Sequence, residues 1–189
     1  MDLKFHLFDK SGKQNTITTL NLAKKNADIL GIKDIIVAST EGYSAEEAAK
    51  IFHSDHYNLI IITHNFGFRK GIDQEFNEEL RQKLQEKGIK IFSGTHVYSG
   101  IGPALQKEWG YMDFSGVFAK SIRKILSDGV KVCHEIALMA ADSGLVKLGS
   151  DVISVGGTGR GADTVCWITA ASSRDFLNAR IKAILVKPL

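Results

Sequence analysis

Asp34-Ile35-Ile36-Val37-Ala38-Ser39-Thr40-Glu41-Gly42-Tyr43-Ser44-Ala45-Glu46-Glu47-Ala48-Ala49 reads as a buried strand, a hydroxyl-rich turn with one glycine, and a helix opening on Ser44 with Glu46 and Glu47 in its first turn. A helix N-terminus carries unpartnered backbone N–H groups and partial positive charge, so Ser and Thr hydroxyls beside it suit a phosphate. Gly42 leaves out a Cβ where an anion's oxygens would approach the backbone. Ser44 equally fits a plain N-cap, a common place for serine. The turn alone leaves both readings standing.

On the N-terminal side, residues 4–8 form a short strand, 9–13 a turn, and Asn15 can cap a helix running to about Gly31, with Leu20, Ala23, Ala27 and Leu30 as its apolar stripe. On the C-terminal side, Asn58-Leu59-Ile60-Ile61-Ile62-Thr63 is a β-branched run of the kind covered on both faces. A loop at 64–69, a charged helix over 74–87 ended by Gly88, and a strand at 89–92 follow. Strict alternation of strand and helix predicts an α/β fold, a parallel sheet with helices on both faces. Three helical patterns then succeed one another at 101–109, 114–127 and 129–142. Strands at 151–155, 163–169 and 181–186 close the chain, with a glycine loop at 156–161. With two prolines, no low-complexity segment and no repeat, residues 1–189 read as one domain.

At 189 residues the chain can bury a core without metal or disulfide support, and 44% hydrophobic with 24% charged residues is a globular composition. No apolar run approaches the roughly 20 residues that span a bilayer, and the opening residues lack the apolar stretch of a signal peptide, so the expected location is cytoplasmic, without a membrane partner. The net charge of +3 is spread along the chain, which argues against a nucleic-acid partner. Cys133 and Cys166 sit in apolar runs and read as structural thiols. His53 and His56 have no acidic or thiol ligand nearby, so no metal is expected. The sequence leaves a homo-oligomer open.

In an open α/β sheet, ligands bind at the carboxyl ends of the strands. The segments leaving those ends hold Asn15, Thr16, Ser39, Thr40, Ser44, His64, Asn65, Phe66, Thr95, His96 and Ser99, a convergence suited to a small-molecule pocket and, member by member, also to caps and solvated loops. Gly157, Gly159 and Ala162 spell G-x-G-x-x-A, but the string precedes the strand-like residues 163–169 instead of a helix, which rules against a dinucleotide fingerprint. The loop reads instead as a turn that brings Arg160 and backbone N–H groups toward an anion, or as a plain strand connection. Glu135 and Asp142, seven residues apart on one helix face in apolar company, suit a pairing with Lys131 or Arg160 or contact with a ligand.

Several stretches together resemble a known family. Gly12-Lys13-Gln14-Asn15-Thr16, residues 37–45 and 64–68, Gly129-Val130-Lys131-Val132-Cys133-His134-Glu135, Met139-Ala140-Ala141-Asp142-Ser143-Gly144, and Gly156-Gly157 with Arg160-Gly161-Ala162-Asp163-Thr164 resemble stand-alone, largely archaeal proteins similar to the pyruvate kinase C-terminal (alpha/beta) domain. The resemblance implies a three-layer αβα fold with a mostly parallel sheet and antiparallel addition at the C-terminal end. It implies phosphate contacts at Ser39, Thr40, Gly42, Tyr43 and Ser44, and a second ligand loop at 156–161 carrying Gly157 and Arg160. The stand-alone relatives look like binders of flavin mononucleotide (FMN), which would place its ring near His64, Asn65 and Phe66. The chain has no room for the catalytic barrel, so pyruvate kinase activity is not expected.

The expected function is therefore binding of a phosphorylated small molecule, FMN first, with Asn15 and Thr16 on the same edge. An enzyme using His64, His96 or Asp142 as acid or base, and a ligand-sensing regulatory module, are the alternatives.

Overall fold

Branched apolar residues without polar alternation form strands buried on both faces. In the computed structural model, which describes residues 3–111 and 113–189, two such runs lie side by side within a seven-stranded sheet. The chain order is β1 (His6–Phe8), α1 (Thr16–Leu30), β2 (Asp34–Ala38), α2 (Tyr43–Ile51), β3 (Asn58–Thr63), α3 (Glu78–Glu86), β4 (Lys90–Ser93), α4 (Gly102–Trp109), α5 (Phe114–Ile125), α6 (Asp128–Asp142), β5 (Asp151–Gly156), β6 (Thr164–Thr169) and β7 (Ile181–Pro188), with short 3-10 turns at Lys13–Asn15 and Ser173–Asn178. Met1 and Asp2, part of the opening searched for a leader, lie outside the described residues.

The spatial order is β1-β7-β6-β5-β2-β3-β4. β2 pairs in parallel with β3 and β5, β3 with β4, and β1 with β7. β6 runs antiparallel to both β5 and β7, which supplies the expected antiparallel addition. Alternate β2 residues serve two cores: Ile35 and Val37 pack with Leu20, Ala23 and Ala45 of α1 and α2, and Ile36 packs with Val130, Ile136 and Ala137 of α6. The sheet is thus the middle of three layers.

Helix α6 approaches the sheet closely enough for backbone to meet backbone. A Cβ built on Gly129 would stand 2.0 Å from Thr164 Oγ1, and one on Gly156 would stand 2.7 Å from the Gly129 carbonyl oxygen. Cys133 Sγ donates to the Ser154 carbonyl at 3.3 Å across the same seam. From Gly129 to Ala141 every residue of α6 except Val132 is buried.

Two local expectations need correction. Helix α2 begins at Tyr43 with Gly42, which has no side chain to cap it, in the N-cap position, so Ser44 is not the cap. Ser39 reaches over instead, its Oγ accepting from the Ala45 N–H at 3.2 Å. Gly42 has a φ of 117°, and a Cβ there would meet Leu80 Cδ2 at 2.5 Å, so α3 packs against this position. Helix α3 begins at Glu78 and not at Gln74, because Asn77 accepts from the Leu80 N–H at 2.8 Å and caps it there.

Gly129→Ala should force α6 off the sheet. It is expected to destabilise the protein by about 1–3 kcal/mol, seen as a lower urea midpoint with unchanged slope.

Candidate functional site

Chain direction puts the segments after β2, β3, β4 and β5 at one edge of the sheet, because those strands are mutually parallel. From β2 the chain proceeds outward through β3 and β4, then returns to lay β5 on the other side of β2. Such a reversal leaves a crevice between the two connections. The 39–44 turn borders it on one side and the 157–161 loop on the other.

A cavity of about 300 Å³ occupies this crevice, and its floor is apolar: Ala38, Ile62, Val132 and Ile136. Of the residues expected from the sequence, Ser39, Thr40, Ser44, His64, His96, Glu135, Gly157 and Arg160 line it. Asn15, Thr16, Gly42, Tyr43, Asn65 and Phe66 lie outside that lining. Thr16 is buried as a clamp, its Oγ1 donating to the Lys13 carbonyl at 2.7 Å and accepting from the Ala162 N–H at 3.0 Å. Asn15 donates to the Lys10 carbonyl, Asn65 donates to the Phe66 carbonyl, and the Tyr43 ring lies 4.0 Å from Lys13 Nζ. Phe66 is 64% exposed.

Among the described residues, the N–H groups of Thr40, Glu41, Gly42, Tyr43 and Ser44 have no protein acceptor. This is the usual state of a helix N-terminus that ends at a ligand or at water. Across the crevice Arg160 holds a left-handed φ of 63°, rare for a residue with a Cβ. Its guanidinium pairs with Glu41 and, at 3.5 Å, with Glu75 Oε1. Glu75 Oε2 lies 2.7 Å from His64 Nδ1.

The far wall comes from α6. Glu135 Oε2 lies 3.2 Å from His96 Nδ1 and accepts from Lys131 Nζ, while its Oε1 accepts from the Tyr98 N–H at 2.8 Å. The expected pairing of Glu135 with Lys131 is therefore present, and that with Arg160 is not. Asp142 points elsewhere: exposed at the end of α6, it accepts from the Ser173 N–H at 2.8 Å. It does not join the histidines.

Burial works against the Glu135 carboxylate, but the hydrogen bonds from His96 and Lys131 outweigh burial and hold its pKa down to about 2. Burial lowers Lys131 below its ordinary value even though Glu135 opposes the shift, so the pair is not equally comfortable. Burial likewise lowers His64, against the pull of Glu75, and the neighbouring His96 lowers it further.

Glu75, Thr158, Arg123 and Asp128 join the site without having been singled out from the sequence. A signal existed for Glu75: reading Asn77 as the cap would have left Gln74 and Glu75 in a loop free to reach His64. Gln74 does so, donating from Nε2 to the His64 carbonyl at 3.1 Å.

The fold and site define an α/β domain with a polar crevice at the point where strand order reverses. The family profile described as pyruvate kinase, alpha/beta domain, matches residues 18–166, and the chain belongs to that family. Among the described residues no helix is long and apolar enough to cross a membrane.

Two stability measurements check the buried cluster. The Glu135 pKa lies below its ordinary 4.5, so its contribution is complete above about pH 4.5 and is lost as pH falls toward 2. The urea midpoint should fall across that window, and less so in Glu135→Gln. At neutral pH Glu135→Gln strands the Lys131 ammonium and should cost about 3–5 kcal/mol, most of it recovered by adding Lys131→Met.

Proposed function

We propose that the crevice binds a phosphorylated small molecule, with the phosphate against residues 39–44 at the start of α2. The observation that carries this reading is the set of unpartnered N–H groups from Thr40 to Ser44, with Ser39, Thr40 and Ser44 side chains on the cavity wall. Fixed N–H donors and the positive end of a helix favour an anion without a buried countercharge. Arg160 supports it from the opposite loop, since its exposed pair with Glu41 is weak and readily exchanged for a phosphate.

FMN is the first occupant to test, in keeping with the stand-alone relatives. Its phosphate would take the turn, and its ring would extend toward His64, whose ring centroid lies 3.9 Å from that of Phe68, while Phe66 stands exposed nearby in sequence. A second reading, an enzyme acting on the bound molecule, is favoured by His64 and His96, which both line the cavity.

FMN added at a hundredfold excess over Kd should stabilise the fold by about 2.7 kcal/mol, seen as a rise in Tm. Ser44→Asp, which places a carboxylate where the phosphate rests, should weaken FMN or inorganic phosphate binding at least about tenfold, some 1.4 kcal/mol. A Tm unmoved by FMN, phosphate and sugar phosphates alike would sink the reading.

A further inference from the structure

Two histidine–carboxylate pairs converge on the cavity. His64 Nδ1 meets Glu75 at 2.7 Å and His96 Nδ1 meets Glu135 at 3.2 Å. The two imidazole centroids are 5.2 Å apart, edge to face. With Nδ1 taken by a carboxylate in each ring, Nε2 is the atom left for a ligand. His96 Nε2 is buried with no protein partner among the described residues, although its side chain is only 11% exposed. A buried ring nitrogen in that state is completed by a ligand or a water.

The carboxylates are themselves held. Glu135, 2% exposed in its side chain, takes hydrogen bonds from Lys131 and the Tyr98 N–H, and Glu75, 7% exposed, is approached by Arg160. Each ring is therefore fixed from behind by a positioned acid, the arrangement that orients an imidazole for proton transfer.

We propose that His64 and His96 are a catalytic acid–base pair acting on the unphosphorylated end of the ligand, and that the substrate class is a phosphorylated α-hydroxy-carbonyl compound. This rests on the phosphate reading of the 39–44 turn, which FMN and such a compound would satisfy alike through their phosphates.

The charged groups around the rings are Glu75, Glu135, Lys131, Arg160, Arg123 and Asp128, and they are paired with one another or with the rings. Two imidazoles this close hold one proton more readily than two, because the second charge is repelled by the first. One ring then donates while the other accepts. Neutral His64 takes the proton from the hydroxyl-bearing carbon. The C–H electron pair becomes the C=C bond of an enediol, and the carbonyl π pair moves to oxygen, which takes the proton from His96. In the second half His96 takes back the proton of the original hydroxyl, a new carbonyl forms there, and the C=C pair takes the proton from His64 onto the former carbonyl carbon. Both rings return to their starting states. The sum is an isomerisation that needs no oxidant, reductant or second substrate.

The test uses the whole chain in D₂O, with dihydroxyacetone phosphate, a pentose 5-phosphate and a hexose 6-phosphate as probes, binding followed by Tm and C–H exchange by proton NMR. At least one probe should bind and exchange the hydrogen beside its carbonyl faster than in buffer, with a bell-shaped pH profile. His64→Gln and His96→Gln should each slow exchange by about 10²–10⁴-fold while probe affinity changes less than threefold. Glu135 is a positioning residue whose charge opposes the lowering of the neighbouring His64, so Lys131→Met/Glu135→Gln, with its fold checked by the urea midpoint, should displace the pH profile toward acid. Binding without exchange, or exchange that survives both histidine substitutions, overturns this proposal alone. Failure of every probe and of inorganic phosphate to bind overturns it together with the phosphate reading.

Discussion

The close seat of α6 on the sheet is the constraint from which most of the site follows. Gly129 and Gly156 allow backbone contact, and Cys133 closes the seam on the Ser154 carbonyl. The opposite side of the helix is covered by α5 and the Ser173–Asn178 turn, through Tyr98, Ala119, Leu138 and Ala179. A helix enclosed this way buries its polar residues. Lys131, His134 and Glu135 therefore satisfy one another and their neighbours: His134 takes Tyr98 Oη at 2.6 Å on one nitrogen and the Ala179 carbonyl at 2.7 Å on the other. Isolated burial of the Glu135 charge would cost several kcal/mol. Lys131, His96 and the Tyr98 N–H together offset it, and in doing so they fix His96 at the cavity wall.

The cavity itself is a consequence of topology. Because the chain returns from β4 to place β5 beside β2, the connections after these two strands diverge and leave the crevice between them. Its two kinds of charge behave differently. Arg160 and Glu41 are each nearly half exposed, so their pair is worth about 0–1 kcal/mol and can rearrange around an anion. Lys131 and Glu135 are almost fully buried, so their arrangement is permanent on the same energy scale. One wall adapts and the other does not.

The layers of the fold were legible in the sequence because their signals are local. Ile60-Ile61-Ile62 can only be a strand covered on both faces, and Gly31, with its φ of 67°, ends α1 where a glycine was expected to do so. The site was half legible. Ser39, Ser44 and His64 lie directly after strands, and the parallel sheet alone brings them to one edge. Asn15, Thr16, Asn65 and Phe66 share that edge, but which way a loop residue turns depends on tertiary partners: Thr16 is drawn under the glycine loop by the Ala162 N–H. Asp142 shows the same limit, since seven-residue spacing from Glu135 gives a shared face but not how far the neighbouring elements reach along it.

The charge distribution also bears on what the non-phosphate end of a ligand can be. Near residues 39–44 the donors are neutral N–H and hydroxyl groups at a helix N-terminus, which favour one anionic group. At the other end stand Glu75 and Glu135, and Glu135 stays ionised at any physiological pH because its pKa is held down to about 2. A second phosphate placed beside His64 and His96 would meet those carboxylates across the rings, and like charges disfavour it. A hydroxyl or carbonyl meets no such penalty, and either can hydrogen-bond to Nε2 of whichever histidine holds the complementary protonation state. The physics of the crevice therefore favours a ligand that is anionic at one end only, so the histidine end reads polarity and hydrogen bonding while the turn reads charge.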